Sequence, residues 1–207
     1  HVRSPRPDDS ANGGIVSNIS VDVAIIGTGT AGMRAYREVS QVTDSVLLIE
    51  GAQYGTTCAR VGCMPSKLLI AAAEAAHHGR HADMFGVRFG TPEIDGAAVM
   101  KRVHEERDRF VGFVVDAVEG WPERHRVKAW TRFRSDHELE LSDGRIIEAD
   151  RIIIATGSRT SVLPMFEPFG DRLVVNDDVF DWDTLPGSVA VFGAGVIGLE
   201  LGQALHR

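Results

Sequence analysis

Two cysteines occur in the 207 residues, Cys58 and Cys63, both inside GTTCARVGCMPSK at 55–67. Four residues separate them, and three chemistries are open: a metal site, a structural staple or a redox pair. Zinc takes three or four ligands. His77 and His78 lie a helix-length away, so no convincing tetrahedron forms. A staple closing so short a loop gains little from loop entropy and would be unusual in a reducing compartment. The redox reading accounts for more residues. Cys63 lies just before Pro65, at the start of a predicted helix, where the helix dipole favours a thiolate. Lys67, one turn in, adds positive charge on the same face. Cys58 would then exchange with an outside disulfide. Gly55 and Gly62 would let the backbone approach a flat ring system.

A second pattern concerns phosphates. Gly27-Thr28-Gly29-Thr30-Ala31-Gly32 follows the apolar run VDVAII and opens a predicted helix. Gly27 permits the tight turn, Gly29 lets the backbone approach a pyrophosphate, and Gly32 lets helix and strand pack closely. The first helical turn, with Thr30 and Ala31, presents free N–H groups to the phosphates. Glu50 ends the next strand, 18 positions after Gly32, and its carboxylate could accept hydrogen bonds from a ribose diol. The device recurs after SVAVF, as Gly193, Gly195 and Gly198. Two such turns suggest two dinucleotides.

These residues need elements to hold them. Strands are predicted from Val21 and over 45–50, with a helix over 30–41 between them, a parallel βαβ unit with a right-handed crossover. Helices are predicted from Pro65 to about 78 and over 94–120. Short strands and turns follow over 126–154, with SDGR at 142–145 as a turn. ADRIIIATG reads as a buried strand ending in Gly157. A connector over 158–186 leads to a strand at 189–193 and the start of a helix. That last strand is expected to pair with something the sequence does not contain or to stay badly covered. The 207 residues are therefore expected to be part of a longer polypeptide. The fold class is α/β: a Rossmann-like domain with a parallel sheet over 19–160, a connector over 161–186, and the start of a second Rossmann-like domain at 187–207. Residues 1–18 show no apolar period and read as a disordered tail.

Net charge is −7, from 22 basic and 29 acidic residues. An acidic chain is a poor candidate for wrapping nucleic acid or for an anionic membrane surface. No apolar run approaches the roughly 18 residues of a membrane helix. The N-terminus lacks the apolar core of a signal peptide, so the expected compartment is the cytoplasm.

With these motifs the chain resembles the flavin-dependent pyridine nucleotide–disulfide oxidoreductases over about 21–207. GTTCARVGCMPSK matches the family's redox pattern, except that Thr56 stands where a second glycine is usual and Ala59-Arg60 replaces the more usual pair. Within the family, PSK and GLELG are most similar to dihydrolipoamide dehydrogenase. The resemblance implies roles. Gly27, Gly29 and Gly32 would hold the FAD pyrophosphate and Glu50 the ribose. Thr57 would contact the cofactor, Cys58 would be the interchange thiol, and Cys63 the thiol beside the flavin. Lys67 would sit near the flavin, with Glu200 reaching back toward it, a pairing that makes sense if both are shielded from water. The backbone at Trp130 and Thr131 would receive the adenine. Ala155, Thr156 and Gly157 match the second flavin signature. Gly193, Gly195 and Gly198 would hold the pyrophosphate of NAD or NADP. The implied partners are a disulfide or dithiol substrate of the lipoamide type and a second copy of the chain, paired through a C-terminal domain. The family's catalytic base is a His near the C-terminus, supplied by the partner subunit. None of the eight histidines has that context, so these residues alone are not expected to complete the reaction. Another branch, of glutathione or mercuric reductase type, and a non-catalytic flavin-binding electron-transfer fragment are the alternatives.

Overall fold

The computed structural model describes residues 18–207. The expected tail lies outside them, except that Asn18 already belongs to a strand. The described chain forms two compact units, residues 18–54 with 117–157 and residues 55–116 with 158–207. This division cuts across the expected continuous 19–160 domain.

The first unit is a six-stranded sheet with helix α1. Its strands are β1 (Asn18–Ile26), β2 (Val46–Glu50), β3 (Arg126–Lys128), β4 (Thr131–Phe133), β5 (Glu138–Leu141) and β6 (Ile146–Ile154). Their order is β3-β2-β1-β6-β5-β4. β3, β2, β1 and β6 run parallel, while β5 and β4 continue the sheet antiparallel. β1 starts three residues before the predicted Val21, because Asn18 and Ile19 pair with Ile146 and Ile147 of β6. That partner lies more than a hundred residues away, beyond the reach of local periodicity.

The central strands are apolar because both faces are covered. Ala24, Ile25, Leu48 and Ile49 are buried. β5 instead alternates, with Leu139 and Leu141 buried between Glu138 and Glu140. Leu139 and Leu141 join Ala24, Leu47, Ile49, Val127 and Ile147 in one core cluster. β6 corrects the sequence reading of a buried strand running to Gly157. It ends at Ile154, which is 66% exposed. The β1 ladder stops at this point, after Ile26, and beyond it one backbone hydrogen bond, from Ala155 to Ile26, joins the two segments.

α1 (Thr30–Val39) stops two residues short of the prediction. It buries Met33 and Tyr36, spaced as one helical face. Tyr36 stacks on Trp121 at 4.1 Å between ring centroids, and its hydroxyl lies 2.9 Å from His125 Nδ1. His125 is buried, and its Nε2 is 3.2 Å from the Asp44 carboxylate. The Tyr36 hydroxyl thus partners Nδ1, while among the described residues Nε2 makes no hydrogen bond and has only the Asp44 carboxylate near it.

The second unit is helical: α2 (Thr57–Val61), α3 (Cys63–His81), most of α4 (Gly96–Glu119) and α5 (Val196–His206). Its core joins Leu69 and Ala73 of α3, Met100 and Val103 of α4, Leu201 and Ala204 of α5, and Val179 and Phe180 from the connector. The strand expected at 189–193 does not form. A strand is defined by its ladder, and no described segment pairs with this one. Val189, Val191 and Phe192 are correspondingly exposed. Among the described residues, no helix is long and apolar enough to cross a membrane.

Candidate functional site

In the first unit, the turn between β1 and α1 takes its shape from three backbone requirements. Gly27 has φ +106°, a region that side chains strain to occupy. A Cβ there would also lie 2.3 Å from the Ala155 carbonyl oxygen. At Gly32, a Cβ would sit 1.9 Å from the Gly27 carbonyl oxygen, so the helix can start this close to the strand only without a side chain. Gly29 differs: it is extended, and a Cβ there would meet nothing within 4 Å. Among the described residues nothing requires glycine at that position. Ala155 locks the turn from β6, its N–H donating to the Ile26 carbonyl at 2.8 Å. Thr156 is exposed and Gly157 takes φ +70°.

Glu50 stands at the end of β2, against this turn. Its Oε2 accepts from the Thr28 N–H and the Thr28 hydroxyl, each at 2.8 Å, and its Oε1 accepts from the Ala52 N–H at 2.8 Å. Thr28 is fully buried. Thr28 is absent from the residues that the glycine pattern singles out. Its signal was a hydroxyl beside a carboxylate 22 residues away, which no local pattern carries. The start of α1 has no side-chain cap, and no acidic residue lies in its first turn, where Thr30 and Ala31 are exposed. Its N–H groups and positive end are therefore available to an anion. A dinucleotide fits this donor set: uncapped N–H groups, an unobstructed glycine and an anchored carboxylate.

Trp130 and Thr131, where the adenine is expected, make hydrogen bonds of their own. The Trp130 N–H donates to the Ser142 hydroxyl at 3.2 Å, and its carbonyl accepts the Ser142 N–H at 2.8 Å. The Thr131 hydroxyl donates to the Glu140 carbonyl at 3.1 Å. These groups hold the β4–β5 hairpin. The Trp130 ring instead covers Gly51, where a Cβ would lie 2.3 Å from the ring.

In the second unit, the two cysteines open adjoining helices. Cys58 is the second residue of α2 and Cys63 the first of α3, with Gly62 between the helices. A Cβ on Gly62 would meet the Cys58 Cα and the Thr57 carbonyl at 3.1 Å each. Gly62 therefore serves the close join of the two helices, a need internal to the chain. Thr56, the departure from the family pattern, has a structural reason. Its side chain accepts the Ala59 N–H at 3.1 Å and caps α2, a contribution of about 1 kcal/mol. The short helix α2 was not predicted; a threonine three residues ahead of Ala59 was its only trace. Gly55 takes φ +117° just before it.

Both cysteines are free thiols, Cys58 half-buried and Cys63 exposed. Burial, followed by the neighbouring Cys63 thiol, raises the Cys58 thiol above its ordinary value. At neutral pH the Cys58 thiolate fraction is therefore below that of a free thiol. In the flavin-free chain, iodoacetamide at pH 7 is expected to modify Cys63 before Cys58. The gap should narrow as pH rises, because Cys58 ionises later than an ordinary thiol. Peptide mass spectrometry over a time course checks this, and Cys58 labelling first at pH 7 would contradict it.

Four residues into α3, Lys67 Nζ lies 2.6 Å from Glu200 Oε2 of α5. The expected shielding is absent: the two side chains are 57% and 39% exposed. An exposed pair contributes at most about 1 kcal/mol, so its value lies in fixing where the ammonium sits. The turn leading into α5 repeats the first one. Gly193 has φ +113°, Gly195 is extended with no neighbour to a Cβ, and a Cβ on Gly198 would lie 2.3 Å from the Gly193 carbonyl oxygen. The start of α5, like that of α1, has no side-chain cap. A cleft of about 990 Å³ lies beside it, with Phe166, Phe169, Val191 and Phe192 in its walls. Among the described residues no group of three or more His, Cys, Asp or Glu side chains could hold a metal ion.

Comparison with known proteins agrees with this geometry. The family described as pyridine nucleotide-disulphide oxidoreductase matches residues 21–207. Dihydrolipoyl dehydrogenase of Thermus scotoductus is 36% identical over 198 residues, covering 90% of this chain and 40% of the relative. Dihydrolipoyl dehydrogenase 3 of Pseudomonas aeruginosa is also 36% identical over 198 residues, covering 91% of this chain and 41% of the relative. The chain thus spans about 40% of the length of these curated relatives. Among solved structures, the HOCl-induced flavoprotein disulfide reductase RclA from Escherichia coli superposes with a TM-score of 0.73. It is 24% identical and covers 89% of this chain and 39% of its own, a likeness of fold.

Proposed function

The chain belongs to the pyridine nucleotide-disulphide oxidoreductase family, and from that premise we propose that it is the FAD-binding and dithiol-bearing part of a dihydrolipoamide dehydrogenase. The observation that carries the reading is the join of α2 and α3, which sets Cys58 and Cys63 side by side with unequal surroundings. The names of the relatives at 36% identity support lipoamide as the substrate class.

The proposed chemistry balances on the chain's own sulfurs. A substrate thiolate attacks Cys58 of the oxidised pair, the Cys58–Cys63 bond breaks, and Cys63 leaves as a thiolate. The second substrate thiol attacks the substrate sulfur of the mixed disulfide. The substrate departs as a disulfide, leaving Cys58 reduced, and the pair has gained two electrons. FAD, when bound, supplies a route for that electron pair to the nicotinamide of NAD or NADP. Gly27, Gly29, Gly32 and Glu50 would hold FAD, with Thr57 and the Ala155–Gly157 segment beside it. Gly193, Gly195 and Gly198 would hold the nicotinamide dinucleotide. Lys67, fixed by Glu200, would set a positive charge beside the thiol pair. The proposed assembly is a cytoplasmic homodimer in which the partner supplies the base.

The test is an assay of the protein that carries this chain, comparing NADH and NADPH oxidation with lipoamide and with glutathione disulfide. A kcat/KM with lipoamide at least roughly tenfold above that with glutathione disulfide is expected. The reverse preference overturns the substrate, and a purified protein without flavin absorbance overturns the cofactor.

A further inference from the structure

We propose that Thr28 is a positioning residue that sets the ribose selectivity of the first dinucleotide site through Glu50; this rests on the reading that the site takes FAD. Thr28 occupies the variable position between Gly27 and Gly29, yet it is fully buried. Two donors of this one residue, its N–H and its hydroxyl, converge on the same carboxylate oxygen at 2.8 Å each. The other oxygen takes the Ala52 N–H at 2.8 Å. A carboxylate has about four acceptor positions, and the chain itself fills three. Against these three donors among the described residues, one strong acceptor position is left, held in a fixed direction at the end of β2.

An anchored carboxylate with one remaining acceptor position suits a hydroxyl donor. A ribose hydroxyl can fill it, whereas a sugar lacking both hydroxyls leaves it unfilled. Without the Thr28 hydroxyl, Oε2 keeps one protein donor, the side chain can rotate, and the preference for a hydroxylated sugar should fade. Any residue but proline at 28 can supply the backbone N–H, so the side chain is the selective part.

The test uses the protein carrying this chain, stripped of flavin. FAD binding is followed by flavin fluorescence, with ADP and 2′,3′-dideoxy-ADP as competitors. Thr28→Val keeps the shape and removes only the hydroxyl. It is expected to weaken FAD binding roughly 10- to 100-fold, as for a lost hydrogen bond to a charged group. It should also collapse the preference for ADP over its dideoxy analogue. Thr28→Ser should restore both to within about threefold. Glu50→Gln should lose the same preference, and adding Thr28→Val to it should cost little more, because the two residues act as one unit. Thr28→Val binding FAD like the parent overturns the proposal, as does an equal loss for ADP and dideoxy-ADP, the signature of a general distortion. A parent protein that binds ADP with selectivity but not FAD overturns the FAD reading while leaving the Thr28 coupling measurable in the ADP arm.

Discussion

Cys63→Ser in the flavin-loaded protein is expected to reduce turnover on the order of a thousandfold or more and, with a linear disulfide such as glutathione disulfide, to leave one half of it bound to Cys58 as a mixed disulfide. The reasoning follows the sulfur bonds. With a linear disulfide such as glutathione disulfide as the probe, the Cys58 thiolate attacks one sulfur and releases the other half as a free thiol, whereas a lipoamide-type ring would keep that thiol tethered and able to close again. Release of the second half requires Cys63 to attack Cys58. A serine hydroxyl at 63 cannot do so, and the adduct persists. Its rate of formation should rise with pH, because burial, the larger cause of the raised Cys58 ionisation, remains in the variant. Intact-mass spectrometry reads the adduct directly.

The reciprocal variant distinguishes the two sulfurs. In the chain by itself Cys63 is the more exposed thiol, so simple accessibility would favour an adduct on Cys63 in Cys58→Ser. The proposed roles demand the opposite once FAD lies beside Cys63. The order of labelling should therefore invert on loading with flavin: Cys63 first without it, Cys58 first with it. The long-wavelength absorbance that a thiolate gives beside a flavin ring should be lost in Cys63→Ser. A surviving band, or a faster adduct in Cys58→Ser than in Cys63→Ser, would exchange the roles of the two cysteines.

What the sequence disclosed about this site depended on how local each constraint is. Gly27 and Gly32 were legible because the clash each avoids is set by the turn it belongs to, and Gly193 and Gly198 repeat it. The thiol pair was legible because the cysteine spacing, Pro65 and Lys67 all lie within one short segment. Thr28 was not, since its hydroxyl matters only through a carboxylate on the next strand. The cap at Thr56 was readable in principle, but α2 has only five residues and no apolar period to reveal it. The segment at 189–193 shows the converse: it is exposed, as expected of a segment without a partner, but it forms no strand. Its β-branched composition is that of a strand, but composition cannot supply a ladder partner, and without one the segment has no strand hydrogen bonds. Strand β1 was predicted short for a related reason, its first residues being fixed by distant β6. Residue-level propensity thus located the turns and thiols, while nonlocal pairing set the strand limits.

Gly32→Ala carries the second large effect, and its sign runs against the general rule for helices. Alanine inside a helix is normally favoured over glycine by about 1 kcal/mol, because glycine loses more backbone freedom on folding. Gly32 is within α1, so propensity alone forecasts a gain. The added methyl, however, would lie 1.9 Å from the Gly27 carbonyl oxygen and 2.9 Å from its carbon. Both are backbone atoms of a turn already held by the Ile26–Ala155 hydrogen bond, so neither can rotate aside as a side-chain tip would. Overpacking of this kind costs about 3 kcal/mol or more where backbone must move, and it outweighs the propensity term. The first unit should unfold at clearly lower urea concentration, and FAD affinity should fall with it, because the displaced carbonyl belongs to the turn proposed to hold the phosphates. Gly112→Ala in α4 supplies the control. A methyl there meets nothing within 4 Å, so propensity acts unopposed and stability should rise by about 1 kcal/mol. If the two substitutions shift the urea midpoint in the same direction, close packing at the first glycine turn is not what selects glycine at position 32.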